Sequence, residues 1–209
     1  MVFNTLLIDT IKGFLDVLYK GRDFQRFYVL ETVARVPYFS YMSCLHFYET
    51  LGMHRKANWI KVHYAEADNE LHHLLTMEAL GGNDSGIDRF LAGNMAVVYY
   101  WLVVVIYLFN PRGAYHLSQL VEEHAYSTYD KFLKENEEML KGMEAPQVAV
   151  DYYTGGDLYM FDTFHTAVNG PRRPTISNLY DVFVNIRDDE GEHKATLKQI
   201  VDRGALSTD

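Results

Sequence analysis

The sequence is poor in cysteine and in basic residues, and each shortage excludes a class of protein. Its 209 residues include one cysteine, Cys44, so neither an intramolecular disulfide nor a thiolate metal cluster can form. The net charge of −9 and the pI near 5.4 argue against nucleic acid as a partner, because phosphate binding needs a basic surface. The length suits one domain with a sizeable core.

The N-terminus also lacks the pattern of a targeting segment. No basic stretch precedes an apolar run with a small-residue cleavage site, and the composition is not that of an organelle transit peptide. We therefore expect neither signal. Residues 1–23 instead predict an amphipathic arm, for which docking on the protein and lying on a membrane surface are about equally expected.

Glutamate and histidine recur in the chain at a spacing that is typical of metal ligands. Two Glu-x-x-His steps occur, and single glutamates lie in two other helical stretches. Residues three apart on a helix share a face, so the carboxylate and the imidazole of one step can reach the same ion. Ferritin-like bundles use this set for two metal ions. The candidate ligands are Glu31, Glu70, His73, Glu122, Glu190 and His193.

Spacing leaves some of these choices open. Glu123 competes with Glu122, and nothing in the pattern decides between them. His72 competes with His73, but only His73 completes the three-residue step from Glu70. With thiolates excluded, carboxylate and imidazole ligands favour iron or manganese, because zinc sites use fewer carboxylates.

Three further residues are candidates for supporting roles around the ligands. Asn69 and Asp189 directly precede the two steps, where each could accept or donate a hydrogen bond to a ligand imidazole; the alternative is a solvated polar side chain. Tyr129 lies two helical turns after Glu122 and therefore on the same face. A tyrosine there could pass an electron and a proton, although a structural tyrosine is nearly as well supported.

Hydrophobic periodicity predicts an all-α fold. The expected helices cover about 24–50, with a bend or break at Pro37, and 56–80, 87–109, 113–138 and 176–201. The long connection 143–164 predicts at most one short helix.

Two stretches, 36–48 and 95–109, are apolar on every side. The second has 15 consecutive apolar or aromatic residues, fewer than the ~20 that span a bilayer. A solvent-facing bundle helix should show a polar side, so we expect either burial at a dimer interface or partial insertion into one leaflet.

Longer motifs around the candidate ligands resemble a known family. LETVARVP, NELHHLLTMEALGG, VEEHAYSTYDKF and NIRDDEGEH are similar to the four iron-ligand motifs of the alternative oxidases. RFYVLETVARVPYFSYMS, APQVAVDYYTGGDLYMFDTF and RRPTISNLYDVFVNIRDDE are similar to its plastid terminal oxidase branch in particular. The resemblance covers about residues 24–193. A plant-type transit peptide is missing, which fits a cyanobacterial or cyanophage origin better.

The resemblance implies a single domain, 1–209, with a C-terminal tail at 202–209. It implies a ferritin-like four-helix bundle that holds two iron ions, with additional short helices on the membrane surface. The family's activity is quinol:oxygen oxidoreduction without proton pumping, here with plastoquinol and dioxygen, in a monotopic homodimer. The expected location is the cytoplasmic or stromal face of a thylakoid or cytoplasmic membrane.

The resemblance also assigns roles to single residues. The six candidate ligands match the iron ligands, Tyr129 matches the redox-active tyrosine, and Asn69 and Asp189 match the residues that support the ligands. Positions that line the quinol pocket match Arg26, Leu30 and Thr128. His124 replaces the third glutamate of a Glu-Glu-Glu triplet in the mitochondrial branch. Alternative functions are a ubiquinol-type oxidase, a ferritin-like ferroxidase and an iron-binding protein without turnover.

Overall fold

The computed structural model describes residues 2–155 and 174–204, and every regular element in those ranges is an α-helix. The all-α fold class is therefore confirmed. The helices are α1 (Val2–Leu18), α2 (Asp23–Ala34), α3 (Val36–Thr50), α4 (Ala57–Ala79), α5 (Gly86–Phe109), α6 (Pro111–Lys141), α7 (Gln147–Thr154) and α8 (Leu179–Arg203).

Helices α2, α4, α6 and α8 carry the candidate ligands and surround a common interior. Helix α6 packs along α8, and α2 packs against α4 and α5. Helix α3 also packs against α4 and α5, while α1 lies on α6 and α7 lies on α4. The single predicted domain is consistent with this packing but stays a prediction.

Prolines mark helix starts rather than bends. The predicted interruption of stretch 24–50 near Pro37 is confirmed, because α2 ends at Ala34 and α3 begins at Val36. Pro37 lies in the first turn of α3 and Pro111 in the first turn of α6. A proline is tolerated there because the missing N–H would have no partner within the helix.

Other helix ends follow from local capping. Helix α8 begins three residues later than predicted, since the side chain of Asn178 accepts a hydrogen bond from the Asp181 amide at 3.2 Å. Helix α4 ends before Gly81, whose φ of 80° is left-handed. A Cβ on Gly82 would lie 2.6 Å from the carbonyl oxygen of Phe24, so this glycine lets the end of α4 approach α2 closely.

The connection after α6 contains the predicted short helix, which is α7. The remainder of the predicted connection, 156–164, lies outside the described residues, as do 165–173 and the tail residues 205–209.

Two clusters of aromatic side chains form the core. One contains Phe27, Tyr129, Phe132 and Phe183. The other contains Tyr38, Tyr41, Trp59, Tyr107 and Tyr115. Stretch 36–48 contributes to the second cluster, where Tyr38 and Tyr41 are fully buried. Neither a dimer interface nor a leaflet is needed to explain most of this stretch, although Phe39 and Phe47 remain exposed.

Helix α5 has one face on the bundle and one large apolar face in the open. Ala92, Val103 and Tyr107 are buried. By length and composition α5 could cross a membrane, and it is the one helix of the described ranges that could. The apolar run 95–109 by itself was too short to cross a membrane, but the helix that contains it begins at Gly86. Its exposed side chains include Ile87, Phe90, Val97, Val98, Trp101, Val105 and Phe109.

The N-terminal arm docks on the bundle and keeps apolar side chains exposed. Leu15 is buried, whereas Phe14 and Val17 are 63% and 79% exposed. Just beyond α1, Tyr19 donates a hydrogen bond to Asp88 at 3.1 Å, and Arg22 forms an ion pair with the same carboxylate. The end of the arm is thus fixed to the start of α5.

Candidate metal centre

Four helices bring all six candidate ligands into one buried site. The side chains form two groups, whose ligand atoms lie within 4.8 Å of one another in each group. Glu70 and Glu190 belong to both groups. Glu31 and His73 complete the first group, and Glu122 and His193 complete the second. Each of the six is at most 1% exposed.

Many polar atoms in this site have no hydrogen-bond partner among the described residues. Burial of such an atom without a partner costs several kcal/mol, so proteins rarely tolerate it. Carboxylate and imidazole atoms that face one another in this way fit a pair of divalent cations. The atoms are Oε2 of Glu31, Oε2 of Glu70, Nδ1 of His73, Oε2 of Glu122 and both carboxylate oxygens of Glu190.

Burial and side-chain contacts distinguish the candidate ligands Glu122 and His73 from their neighbours Glu123 and His72. Glu122 is buried in the site, whereas Glu123 is exposed. His72 points away from the site: its ring stacks on Tyr152 at a centroid distance of 4.0 Å, and its Nδ1 lies 2.8 Å from the carbonyl oxygen of Asp68.

The site carries an excess of negative charge. Burial raises the pKa of the carboxyls of Glu31, Glu122 and Glu190, and the nearby charge of Glu70 raises each of them further. These three groups therefore hold protons more readily than ordinary carboxyls when no cation is bound.

Burial has the opposite effect on the pKa of an imidazole, because the charged form of the ring is the protonated one. Burial works to lower the pKa of His193, but the hydrogen bond and charge of Glu70, whose Oε1 lies 2.7 Å from Nδ1, raise it to about 9. Burial alone would raise the pKa of Glu70, yet the neighbouring imidazoles of His193 and His73 lower it below the usual range. In a metal-free form of the protein, protons on these rings would therefore supply the positive charge that bound cations otherwise provide.

Asp189 organises the surroundings of the first group of ligands. Its Oδ2 accepts hydrogen bonds from Nε2 of His73 at 3.0 Å, from the hydroxyl of Tyr153 at 2.8 Å and from Nδ2 of Asn69 at 2.9 Å. Asn69 also donates to the hydroxyl of Tyr152 at 2.7 Å. Nδ1 of His73 is left to face the ligand carboxylates. Asp189 thus contacts a ligand imidazole directly, whereas Asn69 reaches that imidazole through Asp189, and their supporting roles stay predictions.

One tyrosine from each core cluster donates a hydrogen bond to a candidate ligand carboxylate. Tyr129 donates a hydrogen bond to Oε1 of Glu31 and stacks on Phe27 at 4.3 Å. Burial and the charge of Glu31 raise the pKa of Tyr129, so the phenol keeps its proton at neutral pH. From the opposite side, Tyr38 donates to Oε1 of Glu122 at 2.8 Å.

Sequence reasoning missed Tyr38, Tyr152, Tyr153 and His63 as neighbours of the site. A signal for His63 was available, because positions 63, 66, 70 and 73 share one face of α4. Glu66 lies on the same face and was likewise assigned no role. No comparable signal pointed to Tyr38, which lies far from Glu122 in the sequence and meets it only in the folded bundle.

The predicted pocket residues are divided between two cavities. An apolar cavity of about 400 Å³ is lined by Leu30, Met95, Val98, Leu117, Val121 and His124. A polar cavity of about 380 Å³ is lined by Arg26, Thr128, Asp16 and Lys131. Lys12 lines both cavities. Leu30 is therefore separated from Arg26 and Thr128.

Known proteins resemble the chain over nearly its whole length. The alternative oxidase family model matches residues 3–202. Identity is 57% over 204 residues with ubiquinol oxidase 4, chloroplastic/chromoplastic, of Arabidopsis thaliana, covering 97% of the chain and 58% of that protein. It is 30% over 180 residues with mitochondrial ubiquinol oxidase 2 of Glycine max, covering 86% and 48%. The chain spans less than two thirds of the length of either relative.

Proposed function

Because the chain belongs to the alternative oxidase family, we propose that it is a di-iron quinol:oxygen oxidoreductase. It oxidises plastoquinol and reduces dioxygen to water without pumping protons. The observation that carries the proposal is the pair of buried ligand groups that share Glu70 and Glu190. A dinuclear site with shared carboxylates is typical of the ferritin-like di-iron proteins.

The ligand set assigns each ion its own side chains. Glu31 and His73 would hold one iron, and Glu122 and His193 would hold the other, with Glu70 and Glu190 between them. Two iron ions bound there would supply open coordination positions for dioxygen and would pass to it the electrons that quinol provides.

Protein groups around the site control the protons. The hydroxyl of Tyr129 can give its proton to the Glu31 oxygen to which it is bonded, and the ring can give up an electron in the same event. Asp189 keeps the ring of His73 oriented, since it accepts the hydrogen bond from Nε2 while Nδ1 faces the carboxylates.

The apolar cavity suits a lipid-soluble quinol. Leu30 lines it and directly precedes Glu31, so a ring in the cavity lies next to the ligand shell. His124 is also in the wall, where its imidazole can exchange a hydrogen bond with a quinol hydroxyl. Where the mitochondrial branch has a glutamate, this chain therefore offers a group that can either donate or accept.

The choice of plastoquinol follows from the comparison of identities. The chloroplastic relative is 57% identical and the soybean mitochondrial relative 30% identical. Plastoquinone is the mobile quinone of photosynthetic membranes. A ubiquinol-type oxidase is the alternative, and the rates with the two quinols decide between them.

Exposed apolar side chains of α1 and α5 support attachment to one leaflet of a membrane. Asp88 near the start of α5 is bonded to Tyr19, and Tyr107 near its end is bonded to Tyr115, so α5 is held along the bundle. A helix fixed at both ends in this way lies on the membrane surface more readily than it crosses it. A homodimer at the thylakoid or cytoplasmic membrane completes the proposal.

Oxygen uptake by the purified, iron-loaded chain tests this function. Addition of a plastoquinol analogue should start uptake, and n-propyl gallate should stop it. Uptake that requires iron(II) salt but not quinol would favour a ferroxidase. Iron binding with no uptake under either condition would favour a binding protein without turnover.

A further inference from the structure

A buried triad of Glu66, His63 and Tyr115 lies beyond the candidate metal ligands. Nδ1 of His63 lies 2.9 Å from Oε2 of Glu66, and Nε2 lies 2.9 Å from the hydroxyl oxygen of Tyr115. A carboxylate at Nδ1 fixes the tautomer, so Nε2 accepts the phenolic hydrogen bond. All three side chains are at most 1% exposed.

An aromatic chain joins this triad to the metal centre. The ring centroids of Tyr115 and Tyr41 lie 4.4 Å apart, and those of Tyr41 and Tyr38 lie 6.3 Å apart. Tyr38 in turn donates to Glu122 and lies 5.5 Å from the ring of His193. Short steps between oxidisable rings thus lead from the ligands to Tyr115.

A purely structural role accounts poorly for this triad. Burial of an acid and an imidazole in a core is costly, and apolar residues of similar volume would fill the space as well or better. Within residues 2–155 and 174–204, Oε1 of Glu66 also lacks a hydrogen-bond partner. A tyrosine bonded to a carboxylate-supported imidazole is, by contrast, well suited to reversible oxidation, because its proton has a base to move to and back from.

We propose that Tyr115 is a second redox-active tyrosine and that Tyr41 and Tyr38 connect it to the metal centre. Its use rests on the proposed oxidase function. Tyr115 gives one electron to the oxidised centre, and its phenolic proton moves to Nε2 of His63. The imidazolium is stabilised by Glu66, and no other bond is made or broken.

The resulting neutral tyrosyl radical is reset by one electron from quinol or from a soluble one-electron donor such as ascorbate. The proton then returns from His63. Tyr107 lies 3.3 Å from the Tyr115 oxygen and can donate a hydrogen bond to it throughout, and the half-buried Tyr48 lies 6.3 Å further out. The arrangement moves an oxidising equivalent away from the ligands when no quinol is bound.

The nature of the hydrogen-bond partner allows the radical to be identified in the unaltered protein. Tyr129 and Tyr38 donate to carboxylates, whereas Tyr115 donates to an imidazole. Iron-loaded full-length protein, grown with nitrogen-15 histidine, is mixed with oxygen in the absence of quinol and freeze-quenched. Electron paramagnetic and nuclear double resonance should then detect a tyrosyl radical coupled to an imidazole nitrogen. Absence of this coupled radical would overturn the proposal.

Variants locate the radical. Tyr115→Phe should lose the nitrogen-coupled signal, whereas Tyr28→Phe, which alters a buried tyrosine of the other core cluster, should keep it. Retention of the signal in Tyr115→Phe would contradict the assignment. If that variant does not fold, the isotope measurement on the unaltered protein still decides.

A light-driven oxidant separates this proposal from the oxidase function. Photo-excited ruthenium tris-bipyridine with persulfate removes electrons from tyrosines without oxygen chemistry. A nitrogen-coupled radical produced by both oxygen and light supports the whole proposal. A radical produced by light alone, in protein that shows quinol-dependent uptake, would overturn the link to the metal centre while leaving the oxidase function intact. Absence of quinol-dependent uptake would instead be a failure of the proposed function.

Discussion

Asp189 accepts a hydrogen bond from Nε2 of His73 at 3.0 Å, although the two residues belong to different Glu-x-x-His motifs. The bond therefore connects α4 with α8 across the site. An acid that supports the imidazole of the opposite motif holds the two halves of the ligand set in register. Metal affinity should depend on it, even though Asp189 is not itself a proposed ligand.

Asp189→Asn should weaken iron binding by about 10- to 100-fold, because an amide supports the His73 ring less well than a carboxylate does. Competition with a chelator measures the affinity. Asp188→Asn is the control, since Asp188 forms a surface ion pair with Arg187. Equal affinities in the two variants would show that the bond to His73 has no part in iron binding.

Substitution of a carboxylate that both ligand groups share should remove more iron than substitution of one that belongs to a single group. Glu70→Gln removes a ligand common to both groups, so both irons and all quinol-dependent oxygen uptake should be lost. Glu122→Gln should lose one iron preferentially. Metal analysis after gel filtration measures the ratio, with the exposed neighbour variant Glu123→Gln as control. Two retained irons in Glu70→Gln would be incompatible with the proposed ligand set.

Tyr129→Phe should separate metal binding from turnover. The phenol donates to Glu31 but is not a proposed ligand, so the iron content should stay unchanged. Loss of its proton should lower the rate of quinol-dependent uptake by about 100-fold or more. Tyr126→Phe is the control on the same helix. A Tyr129→Phe rate equal to that of the control would exclude a role in proton or electron transfer.

A larger side chain in the apolar cavity should weaken quinol binding. Val98 lines the cavity, whereas its neighbour Val97, which is exposed to a similar extent, is not among the lining residues. Val98→Phe should raise the KM for quinol about tenfold or more, which corresponds to about 1.4 kcal/mol, and should leave the iron content unchanged. Val97→Phe should match the parent protein. Similar KM values in both variants would place the quinol elsewhere.

The metal-free protein should lose stability as pH rises from 6.5 to about 9. In the folded protein the Glu70 carboxylate raises the pKa of His193 from 6.5 to about 9. The contribution of protonated His193 to the free energy of unfolding is therefore fully present below pH 6.5 and is lost as the pH rises through about 9. Glu31, Glu122 and Glu190 have raised pKa values and act in the same direction.

Urea unfolding at several pH values tests this expectation. In the metal-loaded protein cations replace the protons, so the free energy of unfolding should fall much less over the same range. Identical pH profiles for the two forms would mean that the ligand cluster does not control the pH dependence.

The sequence was sufficient for the helices and the ligand set because both depend on short-range spacing. Glu70 and His73 share a face in any α-helix, and apolar periodicity identified the helix that carries them. The sequence left open whether Pro37 bends one helix or begins a second, because proline fits either a kink or the first turn of a new helix. Only packing distinguishes these two outcomes.

Contacts between helices were outside the reach of sequence spacing. The hydrogen bond from Tyr38 to Glu122 and that from His73 to Asp189 depend on how the helices are rotated about their axes. The exposure of one face of α5 similarly appears only when the opposite face is seen to pack on the bundle. The two cavities could not be anticipated, because several helices contribute to each wall.

The ratio of plastoquinol oxidised to dioxygen consumed by the iron-loaded chain tests the central claim most directly. Parallel quinone absorbance and oxygen-electrode traces should give two quinols per dioxygen with no hydrogen peroxide released, as full reduction to water requires. One quinol per dioxygen with peroxide as product, or uptake driven by iron(II) alone, would contradict the assignment of this site as a quinol oxidase.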